Sequence, residues 1–208
     1  MTSPTDHVND GLHAAPEPRQ KDSARTRALI LAAAQHTFGV HGYGDAGLRE
    51  IARDAGVNVA LVARYFGSKE KLFEAALDDL LTRASLWENP RETFGKTIVG
   101  QFTDPAGGTM NPLPVLMLAS GDAGAQAVAL GLIRTRVLAP LAAWLGDPCG
   151  EERAAEILAL CAGFFTYRIM LPLDSFSGGL SPEIRAWLED SLQAIVDRTE
   201  GRRGASAV

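Results

Sequence analysis

Residues 46–72 read AGLREIARDAGVNVALVARYFGSKEKL, and the glycine at position 56 divides them. Gly56 takes a positive φ at little cost, so Ala55-Gly56-Val57 can end one helix shortly after the small Ala52. A small residue there lets the next helix cross at close range. Ile51, Val57 and Val62 are spaced to fill the gap between the two helices, which leaves Asn58, Val59, Ala60, Ala63 and Arg64 pointing outward. Two short helices crossed this way, the second with an open face, are the arrangement that reads a DNA major groove. A plain helical hairpin of an all-α domain would use the same Gly56 and apolar spacing. It would not explain the Gly67-Ser68-Lys69-Glu70 junction that follows.

Outward from this stretch, a first helix is predicted from Ser23 to His41, with Ile30, Ala33, Ala34, Thr37 and Phe38 as its inward stripe. Gly42 is expected to close it in the αL conformation and to let Tyr43 fold back on Phe38. His36 and His41 share no helix face and read as ordinary helix residues. A fourth helix should start at Ser68, whose hydroxyl can cap free N–H groups while Glu70 complements the dipole. Its stripe of Leu72, Phe73, Ala76, Leu77, Leu80, Leu81 and Ala84 would couple this unit to the rest of the chain.

Gly42-Tyr43, Ile51-Ala52, Ala55-Gly56-Val57-Asn58, Tyr65-Phe66, Ser68-Lys69-Glu70 and Leu72, in that order and without gaps, resemble the signature of the tetracycline-repressor-like (TetR/AcrR) bacterial transcriptional regulators. The resemblance covers about a quarter of the chain. It implies an all-α, nine-helix, two-domain architecture: an N-terminal three-helix unit with a helix-turn-helix, and a C-terminal helical ligand-binding and dimerisation body. It also implies a homodimer that binds a palindromic double-stranded DNA operator, answers to a small hydrophobic effector and needs no cofactor or metal. Three positions depart from the pattern. Ala46-Gly47 replaces the usual Thr/Ser pair, Ala60 the usual Gly, and Ala63 a frequent Tyr, so two common phosphate contacts are missing.

The candidate DNA-binding residues are Arg25, Arg27, Arg49, Asn58, Val59, Ala60, Leu61, Arg64, Tyr65 and Lys69. Asn58 suits adenine or a phosphate, Arg64 guanine or a phosphate, and the apolar residues thymine methyls or the groove wall. With so few hydrogen-bonding side chains on this helix, phosphate contacts and DNA shape should carry much of the affinity. Charge agrees: residues 19–71 hold nine Lys/Arg against five Asp/Glu, a net +4, whereas the whole chain is −5. A basic unit on an acidic body orients itself toward a polyanion.

At 208 residues and 46% hydrophobic, the chain can bury a substantial core. No signal-peptide core and no apolar run of bilayer length stand out, which leads to the expectation of a cytoplasmic protein without a membrane partner. Cys149 and Cys161, far from any CxxC spacing, read as reduced packing residues. Residues 1–21 read as a flexible arm whose end, Arg19 to Lys21, lies within reach of DNA. The expected units are 22–68 for DNA, 69–200 for ligand and dimer, and 201–208 as a flexible tail.

In the body, Asn89-Pro90, Asn111-Pro112, Asp147-Pro148 and Ser181-Pro182 each set a capping side chain before a Pro that loses no helix bond at the first turn. Together with Asp122, and with Asn89 and Glu92 as a capping box, they predict helices near 90–103, 112–120, 123–145, 148–172 and 182–199. Pro140 falls inside the seventh and should bend it after about Arg136. The eighth is apolar nearly all round and needs partners on two sides.

Trp87, Phe94, Phe102, Met117, Phe164 and Arg168 are candidate effector contacts, although aromatic and Met residues at helical spacing are more often plain core. Arg168, a charge in an apolar helix, needs a partner, a cavity or an interface. Phe165, Ile184, Trp187, Leu188, Ser191, Leu192 and Ile195 fit either the core of a monomer or a four-helix dimer interface, and the resemblance implies the dimer. No GxSxG, HExxH or GxxxxGK[ST] pattern appears, which argues against an enzyme. The rival reading is a helical homodimeric adaptor without sequence-specific DNA binding.

Overall fold

In the computed structural model, which describes residues 18–103, 111–146 and 149–198, the described residues are helical with no strand. The first helix, α1, spans Pro18–Asp45 and so begins inside the segment read as an arm; residues 1–17 lie outside the described residues. α1 bends at Gly42, where φ is 75° and ψ is 174°. That is not the αL cap expected but a region essentially reserved for glycine. Space demands glycine as well, since a Cβ here would meet the Leu118 Cβ at 3.3 Å and its carbonyl oxygen at 3.4 Å. Tyr43 does return to Phe38, with ring centroids 6.1 Å apart, and both rings meet Phe73 edge-on.

α2 (Leu48–Asp54) and α3 (Val59–Phe66) are joined through Gly56 at φ 66°. Gly56 N–H donates to the Arg53 carbonyl at 3.0 Å and Val57 N–H to the Ala52 carbonyl at 2.9 Å, the paired bonds of a Schellman ending. Ile51, Ala52, Val62 and Phe66 are buried between the helices. α4 (Lys69–Arg83) starts as expected, with Ser68 Oγ accepting Lys71 N–H at 3.1 Å. Its face of Leu72, Phe73, Ala76, Leu77, Leu80 and Leu81 is fully covered.

α5 spans Phe94–Thr103, after single turns at Leu86–Glu88 and Arg91–Thr93. It starts later than expected because Asn89 does not cap it: its Nδ2 donates to the Leu86 carbonyl and its Oδ1 accepts from Gln101. α6 (Leu113–Ala119) has Pro112 at its N-cap, and Asn111 just ahead of it accepts Leu113 N–H on Oδ1 at 2.8 Å. α7 is the rod Ala123–Leu145, capped by Asp122. Within it a π-turn at Arg134–Leu138 precedes Pro140, and Ala139 N–H reaches back to the Arg134 carbonyl. The wider turn accommodates a proline ring that a regular helix would press against the preceding turn.

α8 (Gly150–Phe165) ends in a second π-turn at Thr166–Met170, and α9 (Pro182–Asp197) starts on the Ser181 cap. Asp147-Pro148 lies outside the described residues. The fold is therefore the expected all-α arrangement of nine helices among the described residues.

Two apolar cores result. One gathers α1 to α4 with α6 and the first part of α7; the other gathers α5, the end of α7, α8 and α9. Trp87 packs against both. In the second core α5 and α9 touch backbone to backbone at Gly95, where a Cβ would stand 2.1 Å from the Glu189 carbonyl oxygen. Arg153, only 3% exposed, donates to the Leu145 and Gly146 carbonyls at the end of α7 and to the Val196 and Arg198 carbonyls at the end of α9. A cation suits two helix C-termini, where the dipoles leave partial negative charge.

One expectation is corrected. α7 has 23 residues and a mean hydropathy of 1.5 in its most apolar stretch, so it is long and apolar enough to cross a membrane by length and composition. Its Arg136 Nε is bonded to the Asp78 carboxylate of α4 at 2.6 Å, however, and its Val137, Leu141 and Leu145 are core residues. These contacts pack one side of the helix, and 22% of its most apolar stretch is buried.

Candidate nucleic-acid interface

α3 buries Val62 and Phe66 and turns Val59, Ala60, Ala63 and Arg64 outward, with Leu61 half-buried at the edge. Arg25 on α1 and Arg49 on α2 are exposed on the same unit. The guanidinium groups of Arg25, Arg49 and Arg64 make no hydrogen bond or ion pair among the described residues. They are available to phosphates or base edges.

The other candidates are already engaged. Asn58 is the N-cap of α3, its Oδ1 accepting Ala60 N–H at 2.8 Å, so bidentate pairing with adenine competes with the cap. Tyr65 holds Ser23 through its hydroxyl at 3.1 Å, and Arg27 lies over the Phe66 ring at 5.2 Å, so both tie α1 to α3. Lys69 Nζ donates to the Gly44 carbonyl at 3.1 Å and sits 4.8 Å from the Tyr43 ring centroid. Burial, then the carboxylates of Asp122 and Glu70, push the Tyr43 hydroxyl above its usual value, so that ring stays neutral beneath the lysine. Lys69 thus closes the end of α1 before it meets any phosphate.

The six effector candidates do not form one pocket. Phe102 and Phe164 stack at 6.4 Å and line a shallow apolar dimple with Val99, Leu160, Cys161, Leu188 and Leu192, and Phe165 packs on Phe102 at 4.4 Å. Its empty space is about 190 Å³, counting the part open to solvent. Phe94 is instead core, packed on Trp144 at 5.3 Å, and Met117 on α6 is 43% exposed. Arg168 Nη1 donates to the Phe176 and Gly178 carbonyls and pins the loop after α8. Burial pushes the Cys161 thiol up to about 12, so it remains a neutral packing group.

The interface candidates divide by burial. Leu188 and Leu192, each 2% exposed, face α5 inside the protomer and offer no surface to a partner. Phe165, Ile184 and Ile195 are partly buried on the same core, and Ser191 is half-buried. Trp187 is 52% exposed, and Tyr167, Ile169, Leu171 and Leu173 are exposed beyond the end of α8. Sequence reasoning missed Ser23, Gly95 and Arg153. Helix periodicity marks none of them, because each acts on an element distant in the chain.

Comparison with known proteins agrees with this geometry. The family described as bacterial regulatory proteins, tetR family, matches residues 30–76, and the tetracyclin repressor-like C-terminal domain matches residues 92–196. The chain belongs to the TetR family of DNA-binding transcriptional regulators, which are not enzymes. It is 55% identical over 51 residues to the HTH-type transcriptional regulatory protein RaaS of Mycobacterium tuberculosis, a match covering 24% of each chain. A TetR-family regulator from Rhodococcus sp. superposes with a TM-score of 0.67 at 14% identity, covering 83% of this chain and 99% of its own. The multidrug binding protein EbrR, solved with ethidium, gives 0.59 at 18% identity, over 82% and 98%. The adaptor reading falls with this membership, since it left out DNA binding.

Proposed function

We propose that the chain is a repressor: a homodimer that grips a palindromic operator with two copies of α3 and releases it when a small hydrophobic effector enters the body. Residues 22–68 read DNA, and residues 69–200 bind the effector and dimerise. The observation that carries this reading is the open face of α3 with the free guanidinium groups of Arg25, Arg49 and Arg64 around it. The net +4 of residues 19–71 in a chain of −5 supports the same orientation. Two such helices spaced by roughly 34–36 Å would meet successive turns of one groove.

Trp187 and the exposed apolar residues beyond α8 supply a surface for the second protomer. The aromatic cluster around Phe102 favours an apolar, aromatic effector, in keeping with the ethidium bound by EbrR. Such a molecule shifts DNA affinity only by binding one conformation better than the other. Action on chromosomal DNA sets the protein in the cytoplasm.

A mobility shift with sheared genomic DNA is expected to select an inverted repeat, with affinity falling as about the 0.9 power of salt per phosphate contact. A salt-insensitive shift, or none, defeats the reading. Arg64→Ala should weaken that shift at an unchanged melting temperature; unfolding instead would make Arg64 structural.

A further inference from the structure

The fold has thinned out the polar groups in and beside α3 that could reach a base edge. Asn58 Oδ1 is held by Ala60 N–H, the Tyr65 hydroxyl by Ser23, and the Lys69 ammonium by the Gly44 carbonyl and the Tyr43 ring. Left on the outward face, at positions i, i+1, i+4 and i+5 of one helix, are Val59, Ala60, Ala63 and Arg64. Within α3 itself this face is made of methyl groups and a single guanidinium that makes no hydrogen bond among the described residues, with the Asn58 Nδ2 at its N-terminal edge. Val59 is 40% exposed, although Val62, one turn on, is buried.

In a major groove the apolar group presented by a base pair is the thymine C5-methyl, and the acceptor pair matched to a guanidinium is guanine O6 with N7. A methyl surface cannot hydrogen-bond a wrong base, but burying methyl against methyl removes apolar area from water on both sides. We propose that α3 recognises its operator chiefly through thymine C5-methyl groups packed on Val59, Ala60 and Ala63, with Arg64 making the one directional contact, to guanine, in each half-site. This inference rests on the reading of α3 as the operator-binding helix. By the same chemistry, uracil in place of thymine removes the recognised group while leaving every hydrogen-bonding edge intact.

The test uses the full chain and genomic fragments selected for binding, copied with either dTTP or dUTP. Each buried methyl is worth roughly four-fold in affinity, so the uracil copy should bind on the order of tenfold more weakly or worse. Single uracil substitutions should locate that loss at thymines within the two half-sites. Val59→Ala, with an unchanged melting temperature, should show a smaller ratio between the two copies. Equal affinity for both copies overturns the proposal, as does a loss spread evenly over thymines outside the half-sites, which is the behaviour of shape readout. An unchanged ratio in Val59→Ala removes Val59 from the contact and overturns the assignment. Failure to bind even the thymine copy defeats the operator reading itself, and this inference with it.

Discussion

Gly95 and Arg153 show how single residues set the body. At Gly95 the backbones of α5 and α9 approach so closely that a methyl group would stand 2.1 Å from the Glu189 carbonyl oxygen, a backbone atom that cannot swing aside. Gly95 N–H also donates to Gln193 Oε1 at 3.1 Å, so separating the helices would stretch that bond too. Gly95→Ala is expected to cost about 3 kcal/mol or more through overpacking, measurable as a lowered urea midpoint. Arg153 carries a buried charge whose two terminal nitrogens donate to four carbonyls at the ends of α7 and α9, while its Nε has no hydrogen-bond partner among the described residues. Arg153→Met keeps most of the volume but leaves those carbonyls without donors, so a loss of about 3 kcal/mol is expected. If Arg153→Met were as stable as the parent in denaturant titration, water would have to reach those helix ends.

Among the elements, α4 joins the reader to the body and shares one apolar core with α1 and the first part of α7, with polar contacts added on each side. Toward α1 it presents Leu72, Phe73, Ala76 and Leu77, and Gln35 of α1 donates to the Ala76 carbonyl and to Asp79. Toward α7 it makes an ion pair, Asp78 to Arg136 at 2.6 Å, set in the π-turn before Pro140. Both side chains are at least a third exposed, 35% and 53%, so solvent screens the pair and its worth is under about 1 kcal/mol. Asp78→Asn and Arg136→Gln should each change stability by no more than that, and the double variant by no more than either single. A double-mutant cycle in urea reads this directly, and a coupling well above 1 kcal/mol would mean the pair is far less screened than its exposure implies.

Across the whole molecule, the apolar surface left by folding is uneven. Leu188 and Leu192 are consumed in the protomer's own core, whereas Trp187 remains 52% exposed one residue away. A second copy covering Trp187 would remove a large aromatic surface from water, and a charge there would oppose it. Trp187→Glu is therefore expected to shift the protein toward monomer in sedimentation while leaving its helix content unchanged. On the proposed palindromic operator, affinity should fall with it, because one reading helix alone contacts half of the site. A variant that stays dimeric would move the interface elsewhere on the molecule.

The sequence by itself determined the helix-turn-helix, the α4 stripe, the caps at Asp122 and Ser181, and the interruption that Pro140 forces on α7. Each is a local matter, decided by residues within a turn or two of one another. It also marked Val59, Ala60, Ala63 and Arg64 as outward, because α3 has one partner face and Val62 fixes it. Only the tertiary structure decided how the remaining side chains are used. Asn89 turned to Gln101 rather than capping α5, Lys69 to Gly44, Tyr65 to Ser23 and Arg168 to the loop carbonyls. Gly42 and Gly95 acquired their meaning from Leu118 and Glu189, which lie far along the chain. Periodicity says which face of a helix is apolar, but several elements compete for that face and for every donor near it. The winner is settled by which backbones come closest, and that distance is not written in any single segment.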